Sequence, residues 1–251
     1  MISVICTVII GLVAGGIAGA IPGILRAYLG TSEVIVTIMM NYIILYVANN
    51  IIRFGFTADM LRSSEASNKV VASASYQTEY LSQITGGSRF NIGFFLALAA
   101  AFLVWFLLKK TTTGFEITSV GLNPHASEYA GMSSKRVIIM SMIISGALCG
   151  LGGTVEGLGT FQNVFVQNAS LAIGWNGMAV ALLASNSPIG IPFAALLYGV
   201  LSIGKSGMIG VPSEVIDVVS ALIIFFVGAN YIIRYWVLPR HKSVKAKGGQ
   251  N

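Results

Sequence analysis

The sequence predicts an all-α fold: a polytopic bundle of transmembrane helices with about six or seven membrane segments, including a broken or re-entrant pair. Hydrophobic residues make up 55% of the 251 residues and charged residues only 10%, too few charges to cover the surface of a water-soluble globule. The mean hydropathy of +0.80 agrees with this class. Several apolar stretches reach the roughly 20 residues that a helix needs to cross the hydrocarbon core. They lack strand-like alternation, so each is predicted to be a helix.

The apolar stretches predict four full spans, a short pair and a last span. We place the full spans at about 2–21, 33–52, 90–108 and 136–155, the pair at 171–184 and 188–204, and the last span at 213–233. The first stretch has no basic region ahead of it and is followed by further spans, so we interpret it as a true span rather than a cleaved signal peptide. Residues 1–233 therefore form one predicted transmembrane domain.

Basic residues orient these spans. The tail at 234–251 is basic, which suits a cytoplasmic position near anionic lipid better than a nucleic-acid surface. With the tail inside, the loop at 109–135 is also inside, and basic residues flank it: Lys109, Lys110, Lys135 and Arg136. The loop at 53–89 then lies outside. It also carries four basic residues, which weakens the orientation without reversing it.

The short pair is interrupted by the polar turn Ser185 to Pro188. Broken, polar segments at membrane depth are tolerated where they line a cavity or are buried in protein. Two crossings and one re-entrant hairpin give the same topology, so both interpretations stay open.

Glycines recur at four-residue spacing on two predicted helices and favour close approach of helix backbones. They are Gly11, Gly15, Gly19 and Gly23 on the first span, and the pairs Gly146/Gly150 and Gly153/Gly157 later in the chain. Packing within one subunit and a seam between two copies both fit this pattern.

Glu33, Thr37 and Asn41 fall on one face of the second predicted span, and Tyr42 follows them. Polar groups in lipid are costly unless they meet water or another helix. A pathway for a polar solute would use them. Hydrogen bonding between helices is the competing interpretation, and Glu33 also suits the start of a helix after Gly30 to Ser32.

The sequence offers little material for catalysis, so we expect no catalytic residue and no metal site. Residues 199–206 match a phosphate-binding loop formally, but an apolar helical run precedes them and Pro212 follows closely, so we reject nucleotide binding. His125 and His241 lie outside the predicted spans, and Cys6 and Cys149 lie within apolar runs.

The inner loop contains signals for one short helix. Asn123 suits the N-cap, Pro124 the first helical position, and Gly131 the residue after the end. A rigid helix between two spans can transmit a push from a docked partner, although an ordinary connecting helix fits the same residues.

Several motifs resemble the permease subunits of bacterial ABC importers for nucleosides and simple sugars, in the ribose and branched-chain amino acid permease superfamily. They are Gly114-Phe115 with Val120 to Gly131, Ser145 to Gly150, Gly174 to Leu183 with Asn186 to Gly190, and Ser32 to Tyr42. The last of these points to the nucleoside branch. The resemblance runs from about Gly11 to Trp236. Departures occur at Asn176, where the family tends to carry an acid, and at Ala184 to Asn186, where it tends to carry Gly-Asn-Asn.

The resemblance implies roles for specific residues. The residues expected to contact a cytoplasmic ABC ATPase are Gly114, Phe115, Gly121, Asn123, Pro124, Ala126, Glu128, Tyr129, Ala130 and Gly131. The residues expected to line the substrate pathway are Glu33, Thr37, Asn41, Tyr42, Trp175, Asn176, Asn186 and Ser187.

The resemblance also implies a multi-pass protein of the bacterial plasma (inner) membrane that is not itself an enzyme. Its partners would be the ATPase, a second permease subunit in a homo- or heterodimer, membrane lipid and an extracytoplasmic solute-binding lipoprotein touching the loop at 53–89. No cofactor is expected on this chain, because ATP and magnesium would bind the ATPase, and no nucleic acid is expected. Family members usually carry further spans ahead of the first one here. We therefore expect this chain to be a fragment or to begin from an internal start. An ion-gradient-driven secondary transporter is the rival function.

Overall fold

The structure is a computed structural model. It describes residues 2–56, 60–63, 65–71, 74–78, 83, 86, 90–169, 173–207, 215, 218, 221–222 and 225–226. Of the predicted last span at 213–233, only six residues are described, all in helical conformation. The rest of that span and the basic tail at 234–251 lie outside the described residues.

The described chain is a series of helices with one small hairpin, which confirms the all-α polytopic fold. The elements are α1 (Ile2–Leu29), α2 (Glu33–Asn50), β1 (Leu61–Ser63), β2 (Ala66–Ser67), α3 (Gly93–Lys110), α4 (Thr112–Leu122), α5 (Pro124–Tyr129), α6 (Ser134–Val155), α7 (Ile173–Leu183) and α8 (Gly190–Gly207). Two helices continue as π-helix, α2 over Ile51–Gly55 and α6 over Glu156–Phe161. Within the described residues, four segments are long and apolar enough to cross a membrane, at the four places predicted for full spans: Ser3–Leu29, Glu33–Gly55, Gly93–Lys110 and Ser134–Phe161.

The first helix is longer than the predicted span at 2–21. It continues through Pro22 and Arg26 and ends at Gly30, whose φ of +63° is the left-handed conformation typical of a helix end. The Arg26 Nη1 atom donates to the carbonyl oxygen of Thr31 at 3.0 Å. This contact helps fix the tight turn from α1 into α2.

The glycine stripe of α1 packs against α6. A Cβ atom on Gly15 would collide with the carbonyl oxygen of Gly146 and lie 2.8 Å from the Cα of Gly150. The same holds along the stripe, where Gly11 faces Gly150 and Gly19 faces Gly146. Packing within one subunit is therefore the role of these glycines. The second predicted pair differs, because no atom lies within 4 Å of where a Cβ on Gly153 or Gly157 would be.

The ends of α2 and α6 on one side of the bundle are covered by a cap that the sequence did not predict. We define the cap as residues 156–168 together with the described residues of 60–78, which are 60–63, 65–71 and 74–78. Backbone amides of Ser67 and Val70 donate to the carbonyls of Val164 and Gln162, both at 2.8 Å. β1 and β2 pair antiparallel within it, and Tyr76 is completely buried. These bonds join segments about a hundred residues apart, and local sequence patterns cannot reveal them.

The chain divides into two compact units, residues 1–171 and 172–251. In the second unit, α7 and α8 form a helical hairpin with a turn at 184–189. The 11 residues of α7 extend about 16 Å, roughly half of the hydrocarbon thickness. Residues 170–172, directly ahead of α7, lie outside the described residues, so this length agrees with both interpretations of the pair. The segment at 199–206 lies inside α8, so it is not a loop that joins a strand to a helix.

Candidate partner-docking segment and solute pathway

Basic residues gather at one end of the first unit. The Nζ atom of Lys135, in the first turn of α6, lies 5.4 Å from the ring centroid of Tyr28, in the last turn of α1. Lys109 and Lys110 close α3 directly before α4. We call this the basic end; it carries α4 and α5, while the cap lies at the opposite end of α6. The four full spans therefore alternate in direction between the basic end and the cap, as predicted.

A sharp corner joins α3 to α4. The Thr111 Oγ1 atom caps α4 by accepting a hydrogen bond from the Gly114 amide at 3.1 Å, and it donates to the Leu107 carbonyl at 2.6 Å. Gly114 is buried, and a Cβ there would collide with the Leu107 carbonyl oxygen and lie 2.6 Å from the Cα of Leu108. Gly114, predicted as a docking residue, thus allows the close approach of two helices.

The predicted short helix is confirmed as α5, with the predicted caps. The Asn123 Oδ1 atom accepts from the Ala126 amide at 3.1 Å, and Pro124 occupies the first turn. Gly131 has a φ of +85°. At this end the Gly131 and Met132 amides donate to the carbonyls of Glu128 at 2.9 Å and Ser127 at 3.0 Å, the paired bonds of a Schellman motif.

The eleven-residue helix α4 ahead of it was not predicted. Its N-cap comes from Thr111, yet the position three residues later is glycine rather than the Glu or Gln of a capping box. The buried Val120 shows which side of α4 faces the protein.

One side of α5 is anchored to its neighbours. Ser127 is 5% exposed and donates through Oγ to the Asn123 carbonyl at 2.9 Å. Ser134, at the start of α6, donates through Oγ to the Pro124 carbonyl at 3.2 Å. Movement of α5 is therefore coupled directly to α6, the span that packs on α1.

The other side of the segment is open and partly apolar. Tyr129 is 96% exposed, Leu122 84% and Phe115 64%. No atom lies within 4 Å of where a Cβ on Gly121 would be. Nine of the ten predicted docking residues are exposed, all except Gly114: Phe115, Gly121, Asn123, Pro124, Ala126, Glu128, Tyr129, Ala130 and Gly131.

The predicted pathway residues on α2 have different surroundings. The Glu33 carboxylate pairs with the Arg26 guanidinium at 3.0 Å across the α1–α2 turn, and both side chains are about half exposed. The Thr37 hydroxyl donates to the Glu33 carbonyl of its own helix at 2.8 Å. Asn41 and Tyr42 lie on exposed positions of α2, a helix with no buried residue.

The remaining predicted pathway residues belong to the second unit. The Asn176 Oδ1 atom accepts a hydrogen bond from the Tyr198 hydroxyl at 3.0 Å, which links α7 to α8. Asn186 and Ser187 form the exposed tip of the turn, and Trp175 is 64% exposed. Tyr198 was missed because its distance from Asn176 along the chain gives no local signal.

The structure also shows a cleft beside the cap. It has a volume of about 270 Å³ and is lined by Tyr46, Asn49, Asn50, Arg53, Phe54, Gln167 and Asn168. The Asn49 side-chain amide donates to the Gln167 carbonyl at 2.7 Å and accepts from the Gln167 amide at 3.0 Å. Within the described residues, no group of three or more acids, histidines or cysteines is placed to hold a metal ion.

Comparison with known proteins identifies relatives along most of the chain. The chain is 50% identical over 243 residues to a nucleoside ABC transporter permease protein of Lactococcus lactis, covering 95% of this chain and 66% of that protein. It is 48% identical over 216 residues to a guanosine ABC transporter permease protein of Bacillus subtilis, covering 85% of this chain and 61% of that protein. A glucose ABC transporter permease protein of Haloferax volcanii is 33% identical over 151 residues, 59% of this chain and 40% of that protein.

These alignments span about two thirds or less of each relative's length. No solved structure matches the chain. Residues 1–228 match the family described as branched-chain amino acid transport system / permease component. That match runs from α1 to beyond α8 and includes the four spans, the segment α4–α5 and the α7–α8 hairpin. With four apolar spans and this family match, the chain is a multi-pass membrane protein that belongs to the permease component family of the branched-chain amino acid transport systems.

Proposed function

We propose that this chain is the membrane-spanning permease subunit of an ATP-driven importer that moves a nucleoside, rather than a simple sugar, inward across a bacterial plasma membrane. The relatives named for nucleoside and guanosine are 50% and 48% identical, whereas the one named for glucose is 33% identical over a shorter stretch. The names of these relatives support the ABC class.

The segment α4–α5 carries the proposal because it is anchored on one side and open on the other. Side-chain hydrogen bonds from Ser127 and Ser134 hold α5 to itself and to α6. The exposed Phe115, Leu122 and Tyr129 offer apolar area to a partner, and desolvated aromatic residues commonly dominate such interfaces. A cytoplasmic ATPase seated here would push on a rigid element rather than on a mobile loop.

The mechanism follows from the connections of this segment. Closure of an ATPase pair, with ATP and magnesium bound to it, would displace α5. Through Ser134 that displacement would reach α6, and through the glycine contacts of Gly146 and Gly150 it would reach α1. Packed helices of this kind switch between discrete arrangements, so the displacement would exchange outward for inward access of the pathway. A second permease subunit would complete the pathway, and a binding lipoprotein would deliver solute at the cap.

Orientation is part of the same proposal. Arg26, Lys109, Lys110, Lys135 and Arg136 all belong to the basic end, and the positive-inside rule assigns that end to the cytoplasm. The coupling segment at 109–135 then faces the ATPase, and the loop at 53–89 faces outward. The basic tail at 234–251 is assigned to the cytoplasm by the same rule.

A charged side chain placed on the open side of the segment α4–α5 tests docking. Ala126→Arg and Gly121→Arg should each lower co-purification of the ATPase severalfold, because both positions are exposed and no neighbouring atom lies within 4 Å of where a Cβ on Gly121 would be. Ser63→Arg, an exposed change in β1 of the cap, is the matched control and should leave co-purification unchanged. Unchanged co-purification and transport in both docking variants would reject the role of this face.

A secondary transporter driven by an ion gradient is the second candidate. The observation that favours it is the α7–α8 hairpin, with its polar tip at Asn186 and Ser187. Broken apolar helices of this kind coordinate substrates and ions in such transporters.

A further inference from the structure

The outer half of α2 carries a second polar and aromatic face. Tyr42, Tyr46 and Asn49 fall within an arc of about 60° at 100° per residue, and Arg53 continues the face into the π-helix. Glu33, Thr37 and Asn41 lie on a different side of the helix by the same geometry. The side chains of Glu33 and Thr37 are already paired, with Arg26 and with the helix backbone. The face that starts at Tyr42 leads directly to the cleft beside the cap.

The cleft is held in shape by specific bonds. The Asn49 amide uses both its donor and its acceptor on the backbone of Gln167, at 2.7 and 3.0 Å, so two walls of the cleft are fixed relative to each other. Arg53 and Phe54 project from the π-helix Ile51–Gly55. This π-helix is the C-terminal end of α2 and stops at the extended Phe56, so both side chains lie where the helix meets the cleft.

The lining combines rings, amides and one cation. Phe54 is 82% exposed and Tyr46 68% exposed, so both rings are open to a ligand. The Arg53 side chain is 48% exposed, and its Nη2 atom forms a long ion pair with the Glu65 carboxylate at 4.0 Å. Asn50 and Asn168 add side-chain amides, and no carboxylate is among the lining residues. The lining therefore favours a planar ligand rich in hydrogen-bond acceptors.

Nucleosides differ in whether they match these donors. A guanidinium binds two adjacent acceptors bidentately, as it does with O6 and N7 of guanine, whereas adenine presents a donor beside N7. Ring stacking by itself does not distinguish bases, because every base has a π-face. The cation therefore supplies the selectivity, and the rings supply general affinity.

We propose that this cleft is the outer solute subsite of the permease and that it takes a nucleoside with a 6-oxopurine base. Arg53 donates to the adjacent O6 and N7 acceptors, Tyr46 or Phe54 stacks on the base, and Asn50 bonds the ribose hydroxyls. The solute then passes inward along the face of Tyr42. The inference rests on the proposed nucleoside function and adds to it a site, a route and a base preference.

A thiol-protection experiment tests the site without relying on transport. The described free cysteines, Cys6 and Cys149, are replaced by serine, and Asn168→Cys introduces one thiol at the rim of the cleft. Right-side-out vesicles holding the complete transporter without its binding lipoprotein are labelled with a membrane-impermeant maleimide, with guanosine or adenosine present. Lys69→Cys, an exposed cap position outside the lining, is the control thiol.

We expect guanosine to slow labelling at position 168 at roughly tenfold lower concentration than adenosine, the discrimination typical of one bidentate base contact. Adding Arg53→Gln should abolish the difference between the two nucleosides while leaving weak protection from stacking. Labelling at position 69 should not respond to either nucleoside.

Three results would overturn the proposal. Equal or absent protection by the two nucleosides, in vesicles that do take up nucleoside when the lipoprotein is supplied, would reject the subsite and leave the proposed function standing. Protection that appears only with the lipoprotein, and regardless of nucleoside, would make the cleft a protein-docking surface. Vesicles that take up no nucleoside with the lipoprotein supplied would reject the proposed function, and the subsite with it.

Discussion

The hydroxyl oxygen of Tyr76 lies 3.1 Å from the Oγ1 atom of Thr7, and the tyrosine ring is completely buried. The Tyr76 amide donates to the Leu158 carbonyl at 3.2 Å, and its carbonyl accepts from the Ile92 amide at 3.1 Å. One residue of the cap thus joins α1, the start of α3 and the π-helical end of α6. We therefore expect the stability of the cap to depend on Tyr76.

Replacing Tyr76 with phenylalanine removes the hydroxyl and leaves Thr7 without this partner. We expect a loss of about 1 kcal/mol in the free energy of unfolding, the usual value of one neutral hydrogen bond. Thermal unfolding of the purified protein in detergent measures it. Tyr129→Phe, at a position 96% exposed, should leave the melting temperature unchanged. Equal melting temperatures for Tyr76→Phe and the parent would show that the bond contributes nothing.

Gly15 tests the contact between α1 and α6. Gly15→Ala places a Cβ against the Gly146 carbonyl, and overpacking of this kind typically costs about 1–3 kcal/mol. Gly153→Ala adds the same methyl group where no atom lies within 4 Å, so it should be neutral or slightly stabilising. The melting temperatures of the two variants in detergent decide this. A Gly15→Ala protein as stable as Gly153→Ala would contradict the close contact.

The Glu33 carboxylate distinguishes a turn residue from a pathway residue. Exposed ion pairs contribute about 0–1 kcal/mol, and Glu33 pairs with Arg26 at a half-exposed site. We therefore expect Glu33→Gln to leave nucleoside uptake within about twofold of the parent, given that small contribution. Lys69→Gln, which removes an exposed charge on the cap outside the lining of the cleft, is the control. A large loss of uptake by a normally folded Glu33→Gln protein would instead support the predicted place of this residue in the solute pathway.

The side-chain cap of α5 links stability to docking. Asn123→Ala removes the acceptor for the Ala126 amide and should cost about 1 kcal/mol, the typical value of an N-cap, whereas Asn123→Asp keeps an acceptor. Hydrogen exchange of a peptide covering α5 should become several times faster in the alanine variant. Unchanged exchange in Asn123→Ala would show that the cap is not needed to hold this helix. Faster exchange in both variants would mean that the side-chain NH2 group of Asn123, and not its oxygen acceptor, stabilises the helix.

The turn between α7 and α8 holds two residues in left-handed conformation, Ser185 at φ 51° and Asn186 at φ 56°. Ser185→Gly should stabilise the turn by up to about 1 kcal/mol, because serine pays a steric penalty there that glycine does not. Ser187→Gly, at a position without positive φ, should be neutral or destabilising. A higher melting temperature for the first variant only would confirm the strain. Equal melting temperatures for the two variants would contradict it.

The sequence predicted features set by local chemistry and missed those set by distant contacts. Span positions followed from hydrophobic length, and the caps Asn123 and Gly131 followed from their backbone preferences. The glycine stripe predicted close packing, but its partners on α6 required the fold. Helix α4 was missed because no capping box marks its start at Thr111. The cap was missed because the pairing of Val70 with Gln162 joins segments far apart in the chain. The cleft at Arg53 was not predicted, because Gln167 on its second wall is also far from Arg53 along the chain.

The energy source of uptake tests the central proposal most directly. Right-side-out vesicles containing the complete transporter and the binding lipoprotein are loaded with ATP or with a non-hydrolysable analogue, and uptake of tritiated guanosine is measured with ion gradients collapsed by ionophores. An ATP-driven importer predicts uptake that requires hydrolysable ATP and persists without any gradient. Uptake that follows a proton or sodium gradient and needs no internal ATP would contradict the account.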